Sequence, residues 1–200
     1  MATIGVSKPY YAVYGVASSV VSYTNGGVMG KATEANIEIA TSNNNNLYGD
    51  NGIAETDRQF TSGTLTLSTT DLSQEVSKAI LGLTEQAVGT IEGITDEDVQ
   101  ELVYDDTQSI PYLGVGFIVK KVVNGVTIWR GIILTKIMFS IPSDAATTQG
   151  ETITWQVPSL TATIMRDDSA TRMWKREATF TTEAQAETYL KNRLGIIDAA

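Results

Sequence analysis

The feature that most constrains this chain is a hairpin signature: Tyr112 to Val123, then Asn124-Gly125, then Val126 to Ile141. Asn-Gly suits the two central positions of a type I′ turn, where both residues need positive φ and the backbone twist matches the flanking strands. The second arm is apolar on both faces. Ile128, Ile132, Leu134 and Met138 alternate with Trp129, Ile133, Ile137, Phe139 and Ile141. Antiparallel sheets commonly keep one face polar, so an arm of this kind is buried twice, either between two layers of its own domain or against another subunit.

Further strand signals surround it. Thr33 to Thr41 sets Ala35, Ile37 and Ile39 against Glu34, Asn36 and Glu38, the period of a half-buried strand, and this puts Glu34 and Glu38 on a face pointing away from the core. Tyr10 to Val16 and Val20 to Tyr23 are β-branched and aromatic, with a turn expected at Asn25-Gly26-Gly27. Gly63 to Thr69, Glu151 to Val157 (Ile153, Trp155 and Val157 opposite Thr152, Thr154 and Gln156) and Leu160 to Met165 alternate as well. Two short helices interrupt the β pattern. Asp71 with Gln74 opens one that ends at Gly82, and Thr182 with Gln185 opens another that ends at Gly195. From Ser42 to Gln59 turn chemistry prevails without a sustained period, which predicts a long loop; loops beyond ~12–15 residues are uncommon unless they have a role. The expected fold is mainly β with one or two flanking short helices, in one domain spanning residues 1–200.

Composition removes much chemistry. The chain has no cysteine and no histidine, hence no disulfide, no thiolate metal site and no Ser-His triad. Fourteen basic against 23 acidic residues leave a net charge of −9, which does not attract a phosphate backbone. The carboxylates Asp96, Glu97, Asp98, Glu101, Asp105 and Asp106 suggest a Ca²⁺ site, but they lack EF-hand spacing and its turn glycine, and read as a solvated acidic loop. Gly114-Val115-Gly116 opens a strand and lacks the rest of a phosphate-binding loop, so these are strand glycines. No G-x-S-x-G elbow is present, and any chain this acidic supplies carboxylate pairs of glycosidase type. Trp129, Trp155 and Trp174 keep one alternative open, a sugar-stacking platform on a β-sandwich, beside the commoner fate of core or interface packing. The residues therefore predict no enzyme, no cofactor and no metal. No signal peptide is read at the N-terminus, and no window reaches the ~18 apolar residues of a membrane span; the expected site of synthesis is a cytoplasm, with no membrane anchor.

The order of these features resembles the major tail proteins of siphophages infecting Gram-positive hosts. The resemblance rests on the N-terminal β segment, Leu47-Tyr48-Gly49-Asp50-Asn51 in a long loop, Gly63 to Leu72 leading into a short helix, the hairpin around Asn124-Gly125, and Trp174-Lys175 through Phe180-Thr181-Thr182-Glu183-Ala184. It spans most of the chain and lies in order and spacing. It implies a tail-tube β-sandwich or partial barrel whose homo-hexameric rings share an inner barrel and stack into the tube of a virion. DNA leaves through that tube without sequence-specific binding, and a tape measure protein and tail terminator or baseplate proteins are the implied partners. A barrel shared between subunits suits the two-faced arm, and the acidic balance suits a conduit that must not retain DNA. Asn43, Asn44, Asn45, Asn46, Leu47, Tyr48, Asp50 and Asn51 are the candidate inter-ring residues of the Ser42 to Gln59 loop, and deletion of that loop should leave a folded monomer unable to polymerise; Glu34 and Glu38 are candidate outward- or lumen-facing acids.

Overall fold

The computed structural model describes all residues except 1, 43–44, 90, 92–98, 144–145, 147, 149–154 and 198–200. The chain is mainly β, with twelve described strands and two short helices. Seven strands run side by side in one sheet: Val20–Val28 (β2), Ala2–Ala17 (β1), Leu113–Val123 (β9), Val126–Phe139 (β10), Ser159–Met165 (β11), Phe60–Thr69 (β6) and Ala32–Thr41 (β3). An eighth, Lys175–Phe180 (β12), also pairs with β10. The sheet is open, ending on β2 and β3. It folds over on itself, so that side chains of β1, β9 and β10 meet those of β6 and β11 in one core containing Leu65, Leu67, Val115, Phe117, Leu134, Phe139, Leu160 and Ile164.

The central hairpin forms as expected. Asn124 and Gly125 both have positive φ (51° and 79°), and the flanking strands pair from Val123 and Val126 outward. Both faces of β10 are covered within this one chain. One faces the sandwich core, and the other lies under a second cluster built by Ile118, Ile133, Ala186, Leu190 and Leu194. The simple alternation of the sequence fails at one point. A register shift between Leu134 and Ile137 turns the strand over, so Ile137 and Phe139 join the same core as Ile132 and Leu134. The same bend lets β10 pair with β12 through Trp129–Leu134 and with β11 through Lys136–Phe139.

Both helices form. The first, Gln74–Leu81 (α1), is capped by Ser73, whose hydroxyl accepts from the Val76 amide, and not by Asp71; Gly82 ends it in the left-handed region (φ 66°). The second, Glu183–Arg193 (α2), is capped by Thr182 as expected, while Gln185 Oε1 accepts from the neighbouring Thr181 hydroxyl.

The N-terminal hairpin turns elsewhere than the sequence suggests. Ser18 and Ser19, both at positive φ (49° and 62°), make the turn, and Asn25-Gly26-Gly27 lies inside β2 opposite a register shift between Tyr11 and Val13. A Cβ at Gly26 would sit 3.0 Å from the Tyr11 carbonyl oxygen and against Ile196, so glycine there serves close approach within a bulge. The strand expected over 151–157 falls largely outside the described residues, and its described part, 155–157, is irregular.

Candidate functional site

The segment read as a loop is a hairpin. Asn45–Gly49 (β4) and Gly52–Asp57 (β5) pair antiparallel, and Asp50 and Asn51, both at positive φ (49° and 65°), make the turn. Turn-forming side chains hid the strands, because asparagine and glycine are weak in any β scale, whereas Asp50 and Asn51 are both residue types that tolerate the left-handed conformation this turn requires. The Ser42 amide donates to the Gln59 carbonyl at 2.8 Å, directly beyond the last β3–β6 pair, Thr41 with Phe60. The hairpin therefore prolongs the β3–β6 ribbon. Thr56 Oγ1 donates to Asn46 Oδ1 at 2.8 Å across it.

This arm exposes apolar side chains that no element among the described residues covers: Leu47 is 62% exposed, Tyr48 68% and its cross-strand partner Ile53 60%. Asp50, Asn51, Glu55 and Asp57 beside them are exposed too. Of the candidate loop residues, Asn43 and Asn44 lie outside the described residues, and Asn45 and Asn46 belong to β4. Glu34 and Glu38 are exposed on β3, with Asn36 Nδ2 donating to Glu38 Oε1 at 3.3 Å; Ala35 and Ile37, on the other face, pack against the core. The two ends of the sheet complete the set of open surfaces, with Val20 and Val28 exposed on β2 and Ile39 on β3.

The charged clusters link separate elements of the fold. Lys8 and Tyr10 of β1 and Lys191 of α2 converge on Glu187, with Tyr10 Oη donating at 2.7 Å and Lys191 Nζ at 3.0 Å. Hydrogen bonding from Lys8, then Tyr10, holds Glu187 down at about 2, while burial and the same carboxylate push Tyr10 up to about 12. Lys175 and Arg130 hold Glu177 at about 2 in the same way. Both carboxylates titrate lower folded than at the 4.5 they start from, so their stabilisation is complete above that pH and is lost as pH falls toward about 2. Glu177 is the more exposed of the two, and solvent screens it. Glu187→Gln is expected to flatten the acid limb of the stability-against-pH curve more than Glu177→Gln does, as read by urea midpoints between pH 3 and 7.

The other candidate motifs are dispersed. Gly114 and Gly116 seat α2 and Tyr23: a Cβ at Gly114 would overlap the Tyr23 ring and lie 3.0 Å from Leu194, and one at Gly116 would lie 3.1 Å from Leu190. Sequence reasoning missed this helix seat, and the recurrence of glycine at Gly114, Gly116 and Gly131 was its only signal. Trp129 packs against the α2 cluster and Trp174 against the sandwich core, stacked on Phe60 at 4.5 Å; Trp155 is 83% exposed. The structure does not gather the three. Asp96, Glu97 and Asp98 lie outside the described residues, and Asp105 accepts from the Thr107 amide and hydroxyl at 2.7 and 2.6 Å. Among the described residues no three acidic side chains are grouped to hold a metal ion, and no helix is long and apolar enough to cross a membrane.

Compared with protein-family models and with curated proteins, the chain matches none.

Proposed function

We propose that this protein is a non-catalytic structural subunit that self-assembles into stacked, homo-hexameric rings forming the tail tube of a non-contractile bacteriophage virion, the conduit for DNA. The observation that carries the reading is the β4–β5 arm, a ribbon prolonging β3 and β6 that presents Leu47, Tyr48 and Ile53 to solvent. Apolar side chains clustered at the tip of an arm mark a contact surface. The sheet supports the same reading by ending on two strands, β2 and β3, whose outer backbone edges lack partners among the described residues. An unpaired edge is a template for another chain, and ring closure removes it.

Electron microscopy of the concentrated protein tests this directly. Hollow rings or tubes are the expected result; a protein that stays monomeric at every concentration, also when offered preformed tail-tip complexes, speaks against it. Glu34 and Glu38 then report on the lumen. Because both are exposed, Glu34→Lys with Glu38→Lys should leave the melting temperature within a degree or two of the parent, in keeping with surface changes of roughly 0.5 kcal/mol or less. If they line the channel, tubes of the variant retain duplex DNA at low salt and release it at high salt; tubes that ignore DNA would place these acids elsewhere. The exposed Trp155 favours the alternative, a carbohydrate-binding module, which predicts a monomer whose tryptophan fluorescence changes with glycans.

A further inference from the structure

Asp167, in the link between β11 and β12, is a carboxylate only 3% exposed. Its Oδ1 accepts from the Ser169 hydroxyl at 2.5 Å and the Ser169 amide at 3.2 Å, and its own amide donates to the Met173 carbonyl at 2.6 Å. Its second oxygen, Oδ2, accepts no hydrogen bond among the described residues. Asp167 lines a cavity of about 360 Å³, bordered by β2, β10, the β11–β12 link, β12 and the C-terminal end of α2 and partly open to solvent.

Two arginines line the same cavity, Arg176 on β12 and Arg193 at the end of α2, and neither has a carboxylate within ion-pairing distance among the described residues. Arg176 is half-buried, whereas Arg193 is exposed with its guanidinium 6.0 Å from the Tyr189 ring centroid. Val21, Ile133 and Met173 supply an apolar wall. One partly open cavity thus offers an unfilled acceptor, two unpaired cations and an apolar surface. Internal packing ordinarily pairs such groups with each other, and the usual small-molecule site is a mostly apolar cavity with a few convergent polar groups.

We propose that this cavity binds a small zwitterion of the α-amino-acid type, its carboxylate toward Arg176 and Arg193, its ammonium toward Asp167 Oδ2 and an aliphatic side chain against Val21, Ile133 and Met173. Arginine recognises carboxylates through a planar pair of N–H donors, and an ammonium gives Asp167 the donor and countercharge it lacks. The site is independent of the tube reading, since it lies within one chain and is assayed on unassembled protein.

The test is calorimetric titration of the full-length chain with L-leucine, with 4-methylpentanoate, which lacks the ammonium, and with 3-methylbutylamine, which lacks the carboxylate. Leucine is expected to bind, with each half-analogue at least tenfold weaker, and to shift the amide resonances of Ser22 and Gly195 at the cavity wall. Arg193→Gln, at an exposed position, should keep the melting temperature and weaken leucine at least tenfold; Asp167→Asn should remove the preference for leucine over 4-methylpentanoate. No heat with leucine at millimolar concentration, equal binding of leucine and 4-methylpentanoate, an unaltered affinity in Arg193→Gln, or shifts confined to other residues would each overturn the proposal.

Discussion

Leu47→Ser, Tyr48→Ser and Ile53→Ser combined are expected to abolish assembly while leaving the subunit folded. Fully burying a large apolar side chain stabilises a contact by about 1.5–3 kcal/mol. These three are 62, 68 and 60% exposed in the single chain, so an interface covering them gains only the exposed part. That amounts to roughly 3–5 kcal/mol per contact, or on the order of 10²- to 10⁴-fold in affinity. A tube repeats the contact in every subunit, so the loss acts at each ring. The fold should not notice, because none of the three belongs to either core cluster. Sedimentation velocity of the parent chain and the triple variant over the same concentration range is the measurement, with thermal melting as the control. Tubes formed by the triple variant would remove the arm from the interface and take the main support of the tail-tube reading with it.

The second large effect concerns α2. Leu190 is fully buried between the helix and the Gly116 and Gly131 positions of the sheet, and Leu190→Ala should cost about 2–5 kcal/mol. Gly114→Val attacks the same seat from the strand. Its added carbons would meet Tyr23 and Leu194, which lie too close even for a single methyl, at a cost of about 1–3 kcal/mol or more. Since Tyr23, Leu190 and Leu194 share one cluster, the two changes should combine to less than their sum: once the helix has lifted, a side chain at 114 meets nothing. Denaturant unfolding of the two single variants and the double variant measures this. Strict additivity would mean that α2 stays docked in both singles and that the glycines are not its seat.

Much of the β architecture was legible in the residues because alternation reports burial on one face directly. Thr33 to Thr41, Gly63 to Thr69 and Leu160 to Met165 become β3, β6 and β11 with nearly the expected ends. The Asn124-Gly125 turn and the Thr182 cap are equally local, since each depends on one backbone conformation or one hydrogen bond to a near neighbour. The candidate assembly arm was found as a segment but misread as a loop. Its strands are short and β5 is exposed at every residue, and such strands carry no burial signal to read.

What the sequence alone determined is therefore the set of properties that neighbouring residues settle among themselves: a mainly β chain, a two-faced strand after Asn124-Gly125, two short capped helices, and no histidine or cysteine chemistry. What only the tertiary structure decided depends on residues far apart in the chain. The bend after Leu134 that turns Ile137 and Phe139 into the core of Ile132 and Leu134 arises because β10 must pair with β12 first and β11 afterwards. The burial of the second face of β10 is supplied by α2, some fifty residues later in the chain, and the glycines at 114, 116 and 131 acquire their meaning only when that helix lies on them. The cavity between Asp167, Arg176 and Arg193 belongs to the same class, since a charge left without a partner is a property of three-dimensional neighbours and no local pattern encodes it.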